Sequence, residues 1–426
     1  MNAREQKGLV IAALCRLNRK ENGVWIVPSQ RGRDTLYSVD PSKQTCTCPD
    51  HAENGFKCKH LYAVEFTVKR EVNKDGSITE TKTLTFVEQK TYKQNWPKYN
   101  EAQMNEKRRL QVLLADLCSG IKDAPRENKV GRKPIPLADQ LFAVVFKVYS
   151  TVSSRRFNCD LQDAFERGHL SRSIHCNKVN CFFENADLTP YLKALIVRSS
   201  LPLKAIETDF AVDSSGFSTS KFVRWFDEKY GITRSGHDWV KVHIACGVKT
   251  GVVTAAAIYD RDANDCPIFP ELVKKTHENF TIKEVSADKA YLSVENVETV
   301  FAAGGIPFIA PKSSTTGGSG GLFEKMFRYY QYQQEEFMGH YHKRSNVEST
   351  FSAIKRKFGD HVRSRTPAAM INESLAKLLC HNLCCVILSQ CELGIEAEFW
   401  KNEEADENGE RPEILSLTQM KRNGQE

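Results

Sequence analysis

The chain has 426 residues, 41% of them hydrophobic and 27% charged. These are ordinary proportions for a globular protein with room for two to four domains. The formal charge of +7 is unevenly placed, because residues 392–426 hold ten acidic against four basic side chains and so leave +13 on residues 1–391. A basic body with an acidic tail suits a nucleic-acid partner. No run of eighteen apolar residues predicts a membrane span, and the apolar stretch near the N-terminus is too short for a secretory signal, so a cytoplasmic protein is expected. The 14 cysteines are scattered through a long chain, Cys384 and Cys385 side by side, and read as reduced thiols plus one metal site.

In chain order, residues 24–39 alternate apolar and polar around Gln30-Arg31-Gly32, the pattern of a β-hairpin. Cys46, Cys48, Cys58 and His60 follow, with the last pair opening a helix whose apolar face is Leu61, Ala63, Val64 and Phe66. Three thiolates and an imidazole complete a tetrahedral set for a structural Zn²⁺. A hairpin and one helix bury little surface, so metal would contribute folding free energy directly. The spacing C-x-C-x9-C-x-H after a hairpin resembles a SWIM zinc finger, a module associated with DNA or protein binding, here over residues 1–70.

Residues 71–128 read as a polar linker and then a helix from about Asn100 to Leu117. Residues 129–204 show helical spacing in three stretches, and Ser171 or Ser173 is placed to cap a short helix exposing Arg172, His175, Asn177, Lys178 and Asn180. This suits either a helix-turn-helix DNA-binding domain or a helical spacer. Cys159, Cys176 and Cys181 lack paired metal-ligand spacing and read as buried thiols.

Residues 205–391 predict a strand ending in Asp213, two strands joined by a Lys-Thr-Gly turn, a helix from Pro267 to His277, a strand stopping at Asp288, a helix, a strand and further helices. That order is α/β, a ribonuclease-H-like mixed sheet flanked by helices and preceded by the helical region and the small finger. Asp265 before Cys266-Pro267 reads as a helix N-cap, and Asp260 and Asp262 as loop residues. Residues 340–360 predict one helix with Val347, Phe351, Ile354 and Phe358 on its apolar stripe. At about 100° per residue, Tyr341, Arg344, Glu348 and Lys355 fall within roughly 60° beside that stripe. A last apolar helix packs the core, and residues 392–426 form an acidic tail.

The set Tyr-x2-Arg-x3-Glu-x6-Lys resembles the signature around the last acid of DDE-class insertion-sequence transposases. Phe-Ala-Val-Asp-Ser-Ser-Gly resembles the first-Asp motif of that class and Ser-Ala-Asp-Lys-Ala-Tyr the second. The resemblance implies that Asp213, Asp288 and Glu348 are catalytic and hold two Mg²⁺ ions, replaceable by Mn²⁺. It implies that Tyr341, Arg344 and Lys355 contact DNA phosphates. The implied activity is hydrolysis of phosphodiesters at transposon ends and joining of the 3′-hydroxyls to target DNA, with double-stranded DNA as partner and a homodimer as the active complex. A silent DNA-binding regulator and a nuclease without strand transfer are the alternatives. Many relatives carry a β-rich insertion with a base-stacking Trp, whereas residues 312–339 here contain none. Phe327, Tyr329, Tyr330 and Tyr332 would either stack on a base or pack on the sheet.

Overall fold

The computed structural model describes residues 3–15, 17–29, 35–72, 95–123, 133–219, 239–259, 264–312, 315–318 and 320–400. They belong to two compact units, Met1–Tyr92 and Lys93–Glu426. In the first, α1 (Ala3–Leu14) packs on α3 (Lys59–Val72). The strands β1 (Asn18–Arg19), β2 (Trp25–Pro28), β3 (Leu36–Asp40) and β4 (Thr45–Cys46) form an antiparallel sheet in that order, and α2 (Pro49–Asn54) follows β4. The expected hairpin is β2 with β3, Trp25 opposite Val39. Its Gln30-Arg31-Gly32 turn lies outside the described residues, as does most of the 71–98 linker. Trp25, Val27, Val39, Leu61 and Val64 make a small core.

The second unit opens with α4 (Trp96–Ser119), which starts before Asn100 because Asn95 caps it and Pro97 occupies the first turn. Then come α5 (Leu137–Ser150), α6 (Ser154–Glu166), α7 (Cys176–Phe183) and α8 (Leu188–Ser200). Neither predicted serine caps α7. His175 does, its ring accepting from the Asn177 amide, while Ser171 is drawn instead to the Asp139 carboxylate. His175, Asn177, Lys178 and Asn180 are exposed, but Arg172 lies before the helix. Of the three cysteines read as buried thiols only Cys176 is buried; Cys159 and Cys181 are exposed.

The sheet runs β7-β6-β5-β8-β9, built from β5 (Asp209–Ser218), β6 (Trp239–Gly247), β7 (Val253–Tyr259), β8 (Glu284–Ala287) and β9 (Ile306–Ile309). The pairs β5–β6 and β6–β7 are antiparallel, and β5–β8 and β8–β9 parallel, the mixed ribonuclease-H-like arrangement. The β6–β7 turn holds Gly251 at φ +73°, a conformation glycine adopts without steric cost, and the buried Glu207 carboxylate accepts from the Lys249 and Thr250 amides. Strand alternation divides β5 between two cores: Ala211 and Phe217 enter one, Phe210 and Val212 the other. The second core is closed by α9 (Phe269–His277) and the end of α10 (Val294–Ala302). The first continues without a break through α4–α8, α13 (Ser345–Phe358) and α14 (Pro367–Leu393).

By length and composition α14 could cross a membrane, but 72% of its apolar window is buried inside the protein, which makes it a core helix. Asn382 is fully buried in it. Its side chain accepts from the Val253 amide at 2.8 Å and donates to the carbonyls of Val253 and Ile196 at 2.7 and 3.1 Å, joining α14 to β7 and α8.

Between β9 and α13 stand α11 (Gly321–Tyr332) and α12 (Gln334–Tyr341). Phe327 is buried, Tyr329 and Tyr330 are partly buried around Phe337, and Tyr332 is exposed. The single helix expected over 340–360 is instead α12, a 3-10 turn His342–Arg344, and α13. Lys343 in that turn pairs with Asp209 and Glu284, both at 2.7 Å, and His340 reaches Glu284 at 2.9 Å. These carboxylates draw the chain down onto the sheet and tighten the helix there. The stripe Val347, Phe351, Ile354 and Phe358 is buried as expected, and Gly359, at φ +89°, ends the helix.

Candidate active site and metal centre

Asp213 does not end its strand: β5 continues to Ser218, with Asp213 opposite Ile244. The shorter neighbour is the one that stops. Val212 is in register with Ala287, the last residue of β8, so Asp288 follows the strand end beside Asp213. Alternation turns Asp213 to the α13 side, where Lys355 Nζ donates to the next residue on that face, Ser215 Oγ, at 2.7 Å.

Arg344 gathers the acids. Its guanidinium lies 2.7 Å from Glu348 Oε1 and 3.4 Å from Asp213 Oδ2, and its carbon is 6.0 Å from the Tyr341 ring. Although Tyr341 sits on a different helix from Glu348, it stays in the set because the 3-10 turn carries it alongside. Burial raises the Asp213 carboxyl above its ordinary range; Asp288 and Glu348 act in the same direction, while the Ser214 amide and Arg344 oppose them. Burial lowers the Lys355 ammonium. A cleft of about 550 Å³ opens over Asp213, Ser215, Glu348, Lys355 and Arg356.

Asp213 and Glu348 thus share one guanidinium, and Asp288 acts on it through space only. Among the described residues the only tight metal-ligand group lies elsewhere. Hard carboxylate oxygens are the donors that Mg²⁺ takes, and here an arginine supplies the balancing charge.

Asp265 stands at the expected N-cap position but caps nothing. Its Oδ1 is 2.5 Å from Lys241 Nζ and 3.3 Å from Ser214 Oγ, because β6 presents a cation closer than the helix amides. His243 Nδ1 lies 3.4 Å from the Tyr291 hydroxyl, and burial pushes this imidazole down to about 4. This polar cluster occupies the sheet face opposite Asp213, and sequence reasoning missed it. Asp260 and Asp262 lie outside the described residues.

In the first unit β4 delivers Cys46, the turn before α2 Cys48, and the start of α3 Cys58 and His60. All four are buried and their ligand atoms lie within 4.8 Å of one another. His60 Nδ1 is 3.8 and 3.9 Å from the sulfurs of Cys46 and Cys58. A tetrahedron with metal–sulfur bonds of about 2.3 Å has edges of nearly this length. The neighbouring Cys46 and His60 hold the Cys58 thiol down to about 3, a thiolate environment, while the Cys46 thiol is pushed up. The donor set fits Zn²⁺. By contrast Cys159, Cys176 and Cys181 form no such group among the described residues.

A family model described as Transposase DDE domain matches residues 205–383, and one described as SWIM zinc finger matches residues 24–69. The chain thus carries a DDE transposase domain behind a zinc finger of the SWIM type. No curated protein and no solved structure matches it.

Proposed function

We propose that the protein is a DNA transposase that hydrolyses phosphodiesters at the ends of its element and joins the 3′-hydroxyls to target DNA. The observation that carries this reading is the convergence of Asp213 and Glu348 on Arg344, with Asp288 following the adjacent strand end. Asp213, Asp288 and Glu348 would hold two Mg²⁺ ions, which when bound activate the attacking oxygen and stabilise the leaving one. Arg344 is the chain's own phosphate ligand: released from the acids, its planar fork can take two phosphate oxygens. Lys355, placed across the cleft by Ser215, would take a flanking phosphate, and Tyr341 would orient Arg344. The exposed face of α7, with Asn177, Lys178 and Asn180, supports DNA contact by the helical region. Processing two ends calls for at least a homodimer on DNA.

The test is a supercoiled plasmid carrying the inverted repeats that flank the gene, incubated with Mg²⁺. Wild-type protein is expected to nick the ends and join them to target, and Asp213→Asn, Asp288→Asn and Glu348→Gln each to abolish both steps. Cleavage without joining would make it a nuclease. Binding of the ends with neither step would make it a silent regulator.

A further inference from the structure

Near the catalytic cleft lies a second concavity of about 790 Å³, bounded by α5, the first turn of α6, the end of α7 and the strap 359–366 between α13 and α14. Its charge is not balanced. Four cations line it: Lys147, Arg363, Arg365 and Lys377. Lys377 is held by the carbonyls of Gly359 and His361 at 2.9 and 2.6 Å, and Lys147 by that of Val152. Arg363 and Arg365 are exposed, and neither side chain has a hydrogen-bond or ion-pair partner among the described residues. Of the two carboxylates that line the pocket, Glu373 is occupied by the amides of Arg363 and Ser364 and the Ser364 hydroxyl. Glu184 is exposed at the end of α7.

Two further observations point to an anion as its ligand. Burial lowers the Lys147 ammonium and pushes Lys377 down to about 8, and the Arg363 guanidinium adds to both, so like charges crowd one another. Ser153, at the N-cap of the 13-residue α6, makes no side-chain cap, and it lines the same concavity together with Ser154, so the uncapped N-terminus of α6 borders it.

The strap ties this pocket to the chemistry. Asp360 lines the catalytic cleft and Arg363 lines the pocket. Three residues of chain span at most about 11 Å, the axial rise of roughly three nucleotides. We propose that this pocket seats a backbone phosphate of the same duplex whose scissile phosphodiester occupies the catalytic cleft, with Arg363 and Arg365 binding its oxygens. The inference rests on the transposase reading and assigns the DNA its track across this face.

The test titrates the full chain with a mixed-sequence DNA duplex over a range of NaCl, with Ca²⁺ replacing Mg²⁺. Arg363→Gln combined with Arg365→Gln is expected to weaken binding and to reduce the slope of log affinity against log salt by about 0.9, the value for one phosphate no longer neutralised. Arg328→Gln, which breaks an exposed pair with Glu324 on α11, removes the same kind of charge and is expected to leave the slope unchanged. Both target arginines are exposed, so the double variant should melt with wild type; if it does not, Arg365→Gln alone carries the test. An unchanged slope in a folded variant, beside a wild-type protein that binds and cleaves, overturns the pocket and leaves the transposase reading standing. A wild-type chain that binds no duplex overturns both.

Discussion

Asp213 is the residue on which the chemistry and the stability of the site pull in opposite directions. Burial, with Asp288 and Glu348 nearby, holds its carboxyl above the ordinary range. A raised carboxyl means that the folded chain disfavours the anion. The resulting destabilisation is absent in acid, where folded and unfolded chains are both protonated, and grows as pH rises through the raised value. Asp213→Asn is therefore expected to raise the melting temperature of metal-free protein at neutral pH, with the gain vanishing in acid. A variant that melts at or below wild type at pH 7 would contradict this. The three acids were singled out from the sequence because each sits in its own motif. Asp265 was not, since its partners Lys241 and Ser214 come from β6 and β5 and meet it only through the antiparallel register of those strands.

At the scale of elements, the Asn382 amide is the side chain that hydrogen-bonds α14 to strand β7. Removing the Asn382 side chain takes away the partner of the Val253 amide and carbonyl in the dry interior, while the Ile196 carbonyl keeps the Ser199 hydroxyl. Each buried group left unpaired costs about 1–3 kcal/mol, so Asn382→Ala is expected to destabilise the second unit by about 2 kcal/mol or more, measured by denaturant unfolding. A loss below about 1 kcal/mol would mean that water replaces the amide. Strand order and the apolar stripe of α13 followed from period-2 and period-3.6 patterns. The break at His342–Arg344 did not, because its cause, Lys343 reaching Asp209 and Glu284, joins residues more than fifty positions apart. The last apolar helix reads from the sequence as a layer of the core, and 72% of the apolar window of α14 is buried there.

Across the whole molecule, the two units are stabilised by different means. The first unit encloses a small core around the Cys46, Cys48, Cys58 and His60 cluster, so metal binding and folding of this unit are one equilibrium. Purified protein is expected to hold one Zn²⁺ per chain. A strong chelator, or Cys58→Ser, is expected to unfold the first unit while the second keeps its cooperative melt, as followed by hydrogen exchange. Zinc-free protein with intact protection at Val27 and Val64 would contradict it. The second unit draws on a hydrophobic core that passes from α4 through α8 to the sheet and α14. The sequence marks the helices of 129–204 clearly, but periodicity says which face of a helix is apolar and not which partner covers it. Dissection of the protein must respect that continuity. A chain trimmed to residues 205–383, the span of the matched transposase domain, would strip Leu141, Phe146, Leu192 and Leu195 from the packing around α14 and leave a greasy, aggregation-prone slab where the intact protein has an interior.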